Sequence, residues 1–458
     1  MKEISKYDVA VIGAGASGIA AAISAAKNGA KTLLVESSSV FGGDLLSGLP
    51  IDGCRTTAGD WIVGGVAKEL FDECDRYKGY VGSIYDRRNI CVVMVNPRIM
   101  GFAVLNKLKE YGVHLLPYSQ AVSVNTEDGK IIDIEIRNKI EQISLQAKMF
   151  IDCTGDGDVS YMCGVPYEVG SDDGILQPMT MVFQIRNINP QEVLQFVLNH
   201  PENCGLAENP NSSKTAQELA QELFDLGYPK VFFSSDGPLM KNAIKSGELH
   251  ASSMLAFNPN SIDKTVVTVN TTRLVSKDCI SAEVLGSSIL DFTTQVDAAL
   301  SFIVKNIPGC QNAILDGIAP RLGIRESRRI RGEYYLTGDE VANGVKHDDS
   351  VCKGGHEIDV HGDKENHFRK TIKDAGFMFV SAISFAIVPM TYSRRAVKLD
   401  FFIDLASPMI QHISQIIADM CSGIALGTVA ILGISLIIRT KYRFTPILNI
   451  PYKLVYAT

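Results

Sequence analysis

Near its start the chain runs Asp8-Val-Ala-Val-Ile-Gly-Ala-Gly-Ala-Ser-Gly18 into a small, apolar stretch at residues 19–23, and then Thr32-Leu-Leu-Val-Glu36. Nothing else in the sequence limits the fold as strongly. The pattern predicts a strand, a glycine turn, a helix, a second strand and a terminal acid. Gly13 permits the tight turn, Gly15 leaves room for a pyrophosphate against the backbone, and Gly18 allows close packing of helix on strand. The helix then presents free N–H groups and the positive end of its dipole to the phosphates. Glu36, roughly twenty residues on, can accept hydrogen bonds from ribose hydroxyls. A glycine-rich strand–helix turn alone could be purely structural; the full order of elements makes a dinucleotide site the stronger reading.

The 458 residues leave room for two or three domains. With 21% charged residues and a net charge of -7, there is no general attraction to nucleic acid, and none is expected as a partner. The ten cysteines form no C-x-x-C pair and no metal-ligand rhythm, so reduced, mostly buried thiols and no metal site are expected. The first residues run straight into the first strand with no secretory signal, and a cytoplasmic location is the expectation.

Further along, residues 37–48 read as a polar, glycine-rich loop, either a surface loop or a set of N–H groups beside a cofactor. Asn96-Pro97 opens a predicted helix that runs to Gly112. Residues 113–116, 121–124 and 131–136 read as strands, with a turn at 127–130. Residues 149–158 read as an apolar strand opening into a glycine and acid loop. Beyond Tyr161 come a predicted strand at 177–185, helices at 190–199 and 213–226, sheet structure at 266–269 and 274, and a long helix at 291–307. This pattern suggests an inserted unit, with the chain returning to the first near Pro320.

The sequence resembles the FAD-dependent oxidoreductases of the glutathione-reductase-like superfamily, and among them the flavoproteins related to fumarate reductase and succinate dehydrogenase. The resemblance rests on residues 11–18 with Glu36, Gly42-Gly-Asp-Leu-Leu-Ser-Gly48 and Ile151-Asp-Cys-Thr-Gly-Asp-Gly-Asp158. Further matches are Cys163-Gly-Val-Pro-Tyr167, Gln177-Pro-Met-Thr-Met181, Leu322-Gly-Ile-Arg-Glu-Ser-Arg-Arg-Ile330 and Gly355-His-Glu-Ile-Asp-Val-His-Gly362. It implies an α/β fold: a Rossmann-like FAD-binding domain (1–165, resumed at 315–375), an inserted α+β cap or substrate domain (166–314) and an atypical apolar tail (376–458). It further implies that Gly13, Ala14, Gly15, Ala16, Ser17 and Gly18 hold the FAD pyrophosphate, and Glu36, with Ser37 beside it, the adenosine ribose. Gly42, Gly43 and Asp44 lie toward the flavin, Val122 meets the adenine through its backbone, and Thr154, Gly155 and Asp156 approach from the third strand. The histidine that carries covalent FAD in some relatives is missing near residues 43–48, so non-covalent FAD is expected.

A flavin supplies redox chemistry, and the protein must set a substrate against its N5. The implied function is hydride transfer between a small organic substrate and flavin N5, with an unknown electron acceptor. Arg321, Arg325, Arg328, Arg329 and Arg331 are the richest polar cluster. If that segment is helical, Arg321, Arg325 and Arg328 share a face. Arginine forks suit a carboxylate-bearing substrate; a solvated or bridging charged segment is the alternative. Arg325, Arg328 and His361 are the catalytic candidates, with His361 as proton donor or anion-orienting group. His356 and Asp359 are weaker ones.

The end departs from the family, whose Ile-Pro-Tyr-Arg and Gly-Arg-Cys segments are not in their expected places after Gly362. Residues 376–393 and 420–438 carry no charge and are long enough for membrane spans. Arg394, Arg395 and Lys398 between them oppose a hairpin with both ends in the cytoplasm. Three readings stay open: a membrane hairpin, a buried small-residue helix near 422–428, and a replaced or frame-shifted end. They lead respectively to a membrane-associated electron-transfer flavoprotein, the closed enzyme, and a degenerate flavoprotein.

Overall fold

The computed structural model describes residues 2–370 other than 57, 86–90, 171–173, 207–212, 277, 333, 335, 346–354, 356, 357 and 362–366. The expectations for 376–393, 420–438 and the rest of the tail, and for His356, lie outside the described residues. Among the described residues no helix is long and apolar enough to cross a membrane.

The chain folds as an α/β protein. Strand β1 (Lys2–Ile12), helix α1 (Ala16–Lys27) and strand β2 (Thr32–Val35) open it in the predicted order. A small antiparallel sheet follows: β3 (Ile51–Arg55), β4 (Tyr80–Tyr85) and β5 (Cys91–Val95), with α2 (Gly65–Arg76) between its strands and α3 (Pro97–Glu110) after them. The Asn96 side chain caps α3 by accepting from Arg98 and Ile99, and Pro97 fills the first turn, as the sequence requires. Strands β6 (His114–Leu116), β7 (Gln120–Glu127), β8 (Lys130–Arg137) and β9 (Gln142–Asp152) complete a six-stranded sheet in the order β6-β2-β1-β9-β8-β7. Pairings of β1 with β2 and β9, and of β2 with β6, are parallel.

Parallel strands covered on both faces read as unbroken apolar runs, and β1 shows why. Val9 and Val11 pack with Ile19 and Ile23 of α1, while Ala10 and Ile12 pack with Ile134, Ile136 and Leu145 on the other side.

After α4 (Asp158–Met162) and β10 (Tyr167–Val169) the chain builds a five-stranded antiparallel sheet. It consists of β11 (Phe183–Arg186), β12 (Val231–Ser234), β13 (Met254–Pro259), β14 (Val266–Asn270) and β15 (Ile314–Ile318), in the order β12-β13-β14-β11-β15. Helices α5 (Pro190–Asn199), α6 (Ala216–Leu226), α7 (Pro238–Ser246) and α8 (Ala282–Asn306) accompany it. Phe183, Phe233, Phe257, Phe292 and Phe302 fill this second core. The predicted strand at 177–185 shrinks to β11 plus single bridges at Met179 and Thr180, since Pro178 has no N–H to give to a ladder. Helix α8 starts nine residues before the predicted 291. Asp278 receives the N–H groups of Ile280 and Ser281 at 2.9 Å, and Ser287 and Ser288 turn their hydroxyls onto the Val284 carbonyl. Those serines are polar in sequence yet lie within the helix, so its apolar period is blurred. The remaining elements are β16 (Arg328–Ile330), α9 (Gly338–Ala342), β17 (Ile358–His361) and β18 (His367–Lys370).

Strand β5 joins the two cores: Val92 and Met94 face the second, Val93 and Val95 the first. Asn260, 1% exposed, fastens the same seam. Its amide donates to the carbonyls of Gly48 and Val95, both at 2.9 Å, and its oxygen accepts from Thr268 at 2.5 Å. Replacing it strands three buried groups. Asn260→Ala should cost about 1–3 kcal/mol, measured as a lower urea midpoint for the full chain.

Candidate functional site

The first turn is built by exclusion. Gly13 has φ 97°, and a Cβ there would stand 2.4 Å from the carbonyl oxygen of Cys153. A Cβ on Gly18 would stand 1.8 Å from the Gly13 oxygen, so α1 crosses the turn at backbone distance. Gly15 differs: its Cβ would meet nothing within 4 Å. Gly15 is also the N-cap of α1, contributes no side-chain cap, and no acid lies in the first turn. The helix end is therefore positive, uncapped by side chains and open, which is what a phosphate group needs. Cys153 packs beneath it, its Cβ 3.3 Å from the position of a Cβ on Gly18. Burial pushes the Cys153 thiol up to about 12, so it is a neutral packing group.

Glu36 ends β2 and is 9% exposed. One carboxylate oxygen accepts the Ala14 N–H at 2.9 Å; the other accepts the Ser38 N–H and the hydroxyls of Ser37 and Ser38. It thus braces the glycine turn against the start of the second loop. That loop folds back: Gly42 donates to the Ala14 carbonyl at 2.9 Å, and a Cβ on Gly43 would lie 2.8 Å from the Cα of Gly15. Asp44 follows, exposed, in the 3-10 turn Gly43–Leu46.

The third loop leaves β9 beside the first. Its organiser is Asp152, which the sequence reading passed over. At 2% exposure it accepts the N–H and hydroxyl of Thr154 on one oxygen and the N–H and hydroxyl of Ser160 on the other. An acid at the last position of a buried strand, just before Cys-Thr-Gly, was the available signal. Thr154 in turn receives the Asp158 N–H at 2.7 Å. Asp156 accepts the Ser327 hydroxyl at 2.5 Å, and Arg328 donates to the Asp156 carbonyl and the Asp158 carboxylate at 2.9 and 2.8 Å. Val122 is on the edge strand β7, where the pairing with β8 steps past it and leaves its backbone out of the ladder.

The arginine segment is not a helix, which corrects the shared-face expectation for Arg321, Arg325 and Arg328. Gly323 bridges Thr180, and residues 328–330 pair with β10. The strand wins because polar partners lie across it: Glu326 accepts the Gln177 N–H at 2.9 Å, and Glu168 of β10 pairs with Arg331 at 3.3 Å. The guanidinium of Arg328 lies over the Tyr161 ring at 4.2 Å. Arg325 is exposed. Arg321 reaches back between the loops: a Cβ on Gly43 would meet its Nη1 at 3.4 Å, and one on Gly155 its Nη2 at 3.6 Å. His361 is the last residue of β17, paired with His367 of β18; only its backbone is described.

Over residues 8–387 the sequence matches a family model described as FAD dependent oxidoreductase. Similar solved structures include a geranylgeranyl bacteriochlorophyll reductase-like protein from Thermoplasma acidophilum, with 16% identity over 92% of this chain and 84% of that one, at TM-score 0.43. Another is the flavin-dependent brominase Bmp2, with 13% identity over 72% and 69% at TM-score 0.41. A third is p-nitrophenol 4-monooxygenase from Pseudomonas putida, with 10% identity over 73% and 70% at TM-score 0.34. No curated protein matches.

Two alanine variants separate folding from binding. Gly18→Ala overlaps the Gly13 carbonyl and should lose about 3 kcal/mol of stability. Gly15→Ala should melt close to the parent yet retain far less flavin, because its methyl enters the open space. Thermal melts and the flavin absorbance of each purified variant check both.

Proposed function

The chain belongs to the FAD dependent oxidoreductase family and takes FAD as its cofactor, and on that premise we propose hydride transfer between a small, carboxylate-bearing organic substrate and flavin N5. The observation that carries this reading is the meeting of three loops far apart in sequence, around Gly15, Gly43 and Gly155, at the ends of β1, β2 and β9. Ligands of open parallel sheets bind outside the carboxyl ends of the strands.

In this reading Gly13, Ala14, Gly15, Ala16, Ser17 and Gly18 form the non-covalent pyrophosphate site, with the N–H groups of the first turn of α1 facing the phosphates. Glu36 and Ser37 exchange some of their internal hydrogen bonds for the ribose hydroxyls, and Val122 offers its backbone to the adenine. Gly42, Gly43 and Asp44, with Thr154, Gly155 and Asp156, border the path toward the flavin. When bound, FAD supplies a two-electron acceptor at N5. Arg325 anchors the substrate carboxylate, and His361 holds or passes the proton. Arg328 serves as a positioning residue, because its guanidinium is engaged by Asp156 and Asp158. The order of the motifs from Gly13 to Gly362 supports kinship with the glutathione-reductase-like superfamily and the fumarate reductase flavoproteins. The same order supports a FAD-binding domain at 1–165 and 315–375 around a cap at 166–314.

The purified full chain should be yellow, release its flavin on acid or heat denaturation, and bleach anaerobically with a small carboxylate donor. A folded, colourless protein that takes up no added FAD overturns the reading. Once a donor is found, Arg325→Met should raise its KM by roughly 10- to 100-fold with a smaller change in kcat, the loss of one charged hydrogen-bond partner in binding.

A further inference from the structure

We propose that Arg321 holds the phosphates of bound FAD, and is not a substrate anchor. The inference rests on the FAD site described above. It starts from where the side chain is rooted and where it ends. Its root is fixed beside the second sheet: two residues on, Gly323 exchanges both backbone hydrogen bonds with Thr180, on the segment leading into β11, at 2.8 and 3.1 Å. That approach needs a glycine, since a Cβ at Gly323 would stand 2.7 Å from the Thr180 methyl. From this anchor the side chain spans the seam, and its two terminal nitrogens face different loops. Nη1 points at Gly43, whose own missing Cβ would touch the Gly15 Cα, and Nη2 points at Gly155. The fork thus closes a gap whose other walls are the uncapped first turn of α1 and two glycine backbones.

Charge makes this placement informative. Three other arginines of the segment have acidic partners: Arg328 has Asp158, Arg329 has Glu326 and Arg331 has Glu168. Among the described residues no hydrogen bond or ion pair engages the Arg321 guanidinium, and no acid lies in the first turn of α1. Arg321 is exposed, so water screens its repulsion from the positive helix end, and an anion seated between the two is attracted by both. A diphosphate fits that place: one phosphate faces the helix N–H groups, and its remaining oxygens face a planar, two-pronged donor. A substrate carboxylate at the same place would have to compete with the cofactor for the helix end.

The test uses the full chain stripped of flavin, with Arg321→Met and Arg321→Lys. Flavin fluorescence gives FAD affinity, and competition with ADP or AMP reports which part of the cofactor is felt. Arg321→Met should bind FAD about 10- to 100-fold more weakly. ADP should weaken by the same factor, AMP by much less, and the salt dependence of FAD binding should flatten. Arg321→Lys should recover part of the loss, because it restores charge without the fork. On fully loaded enzyme, the Arg321→Met KM for substrate should match the parent. Unchanged FAD and ADP affinity in both variants overturns the proposal, and does so most directly if KM rises instead. If the parent itself binds neither FAD nor ADP, the failure belongs to the cofactor reading and not to Arg321.

Discussion

Helix α1 crosses its own strand at backbone distance, and the nucleotide end of the molecule is arranged around that crossing. The contact of Gly18 with the Gly13 carbonyl draws the first turn of α1 over the ends of β1 and β9. Gly43 can then lie against Gly15, and Glu36 can take the Ala14 N–H. Any side chain at Gly18 would lift the helix and separate all three loops together. The cost of so tight a contact is small because glycine has no side chain to displace, and the helix dipole keeps its positive end unobstructed.

Parts of this were legible in the chain because backbone sterics leave few alternatives. A strand ending in G-x-G-x-x-G, with an acid after the next strand, has essentially one way to fold, and the predicted strands at 113–136 and the helix from Pro97 follow from equally local rules. The arginine segment was not legible. Spacings of three and four fit a helix, but the partners that decide its conformation, Glu168, Asp156 and Asp158, lie far away in the chain, and only the fold brings them together. Asp152 was overlooked for a related reason: an acid closing an apolar strand looks like the start of a loop, and its four donors become visible only when Thr154 and Ser160 curl around it. The small sheet at residues 51–95 carries no motif, and β5 is apolar on both faces because it belongs to two cores at once.

That double membership gives the seam its character. Two hydrophobic cores share one strand, and a single buried amide, Asn260, satisfies carbonyls contributed by the loop at Gly48 and by β5 itself. Hydrogen-bonded polar groups of this kind fix register where apolar packing alone would allow sliding. The Arg321 side chain runs from the segment beside the second sheet to the loops at Gly43 and Gly155.

The bonds from Ser327 to Asp156 and from Arg328 to Asp158 join residues 171 and 170 positions apart. On a ribosome adding about 5–20 residues per second, the third loop therefore waits roughly ten to thirty seconds after its own synthesis for its partners to emerge. During that interval β9 already lies between β1 and β8, but Asp156 and Asp158 lack Ser327 and Arg328. Assembly of the pocket is thus timed by translation of the intervening sheet, and the completed nucleotide cradle is a late product of biosynthesis although its signature is among the first residues made.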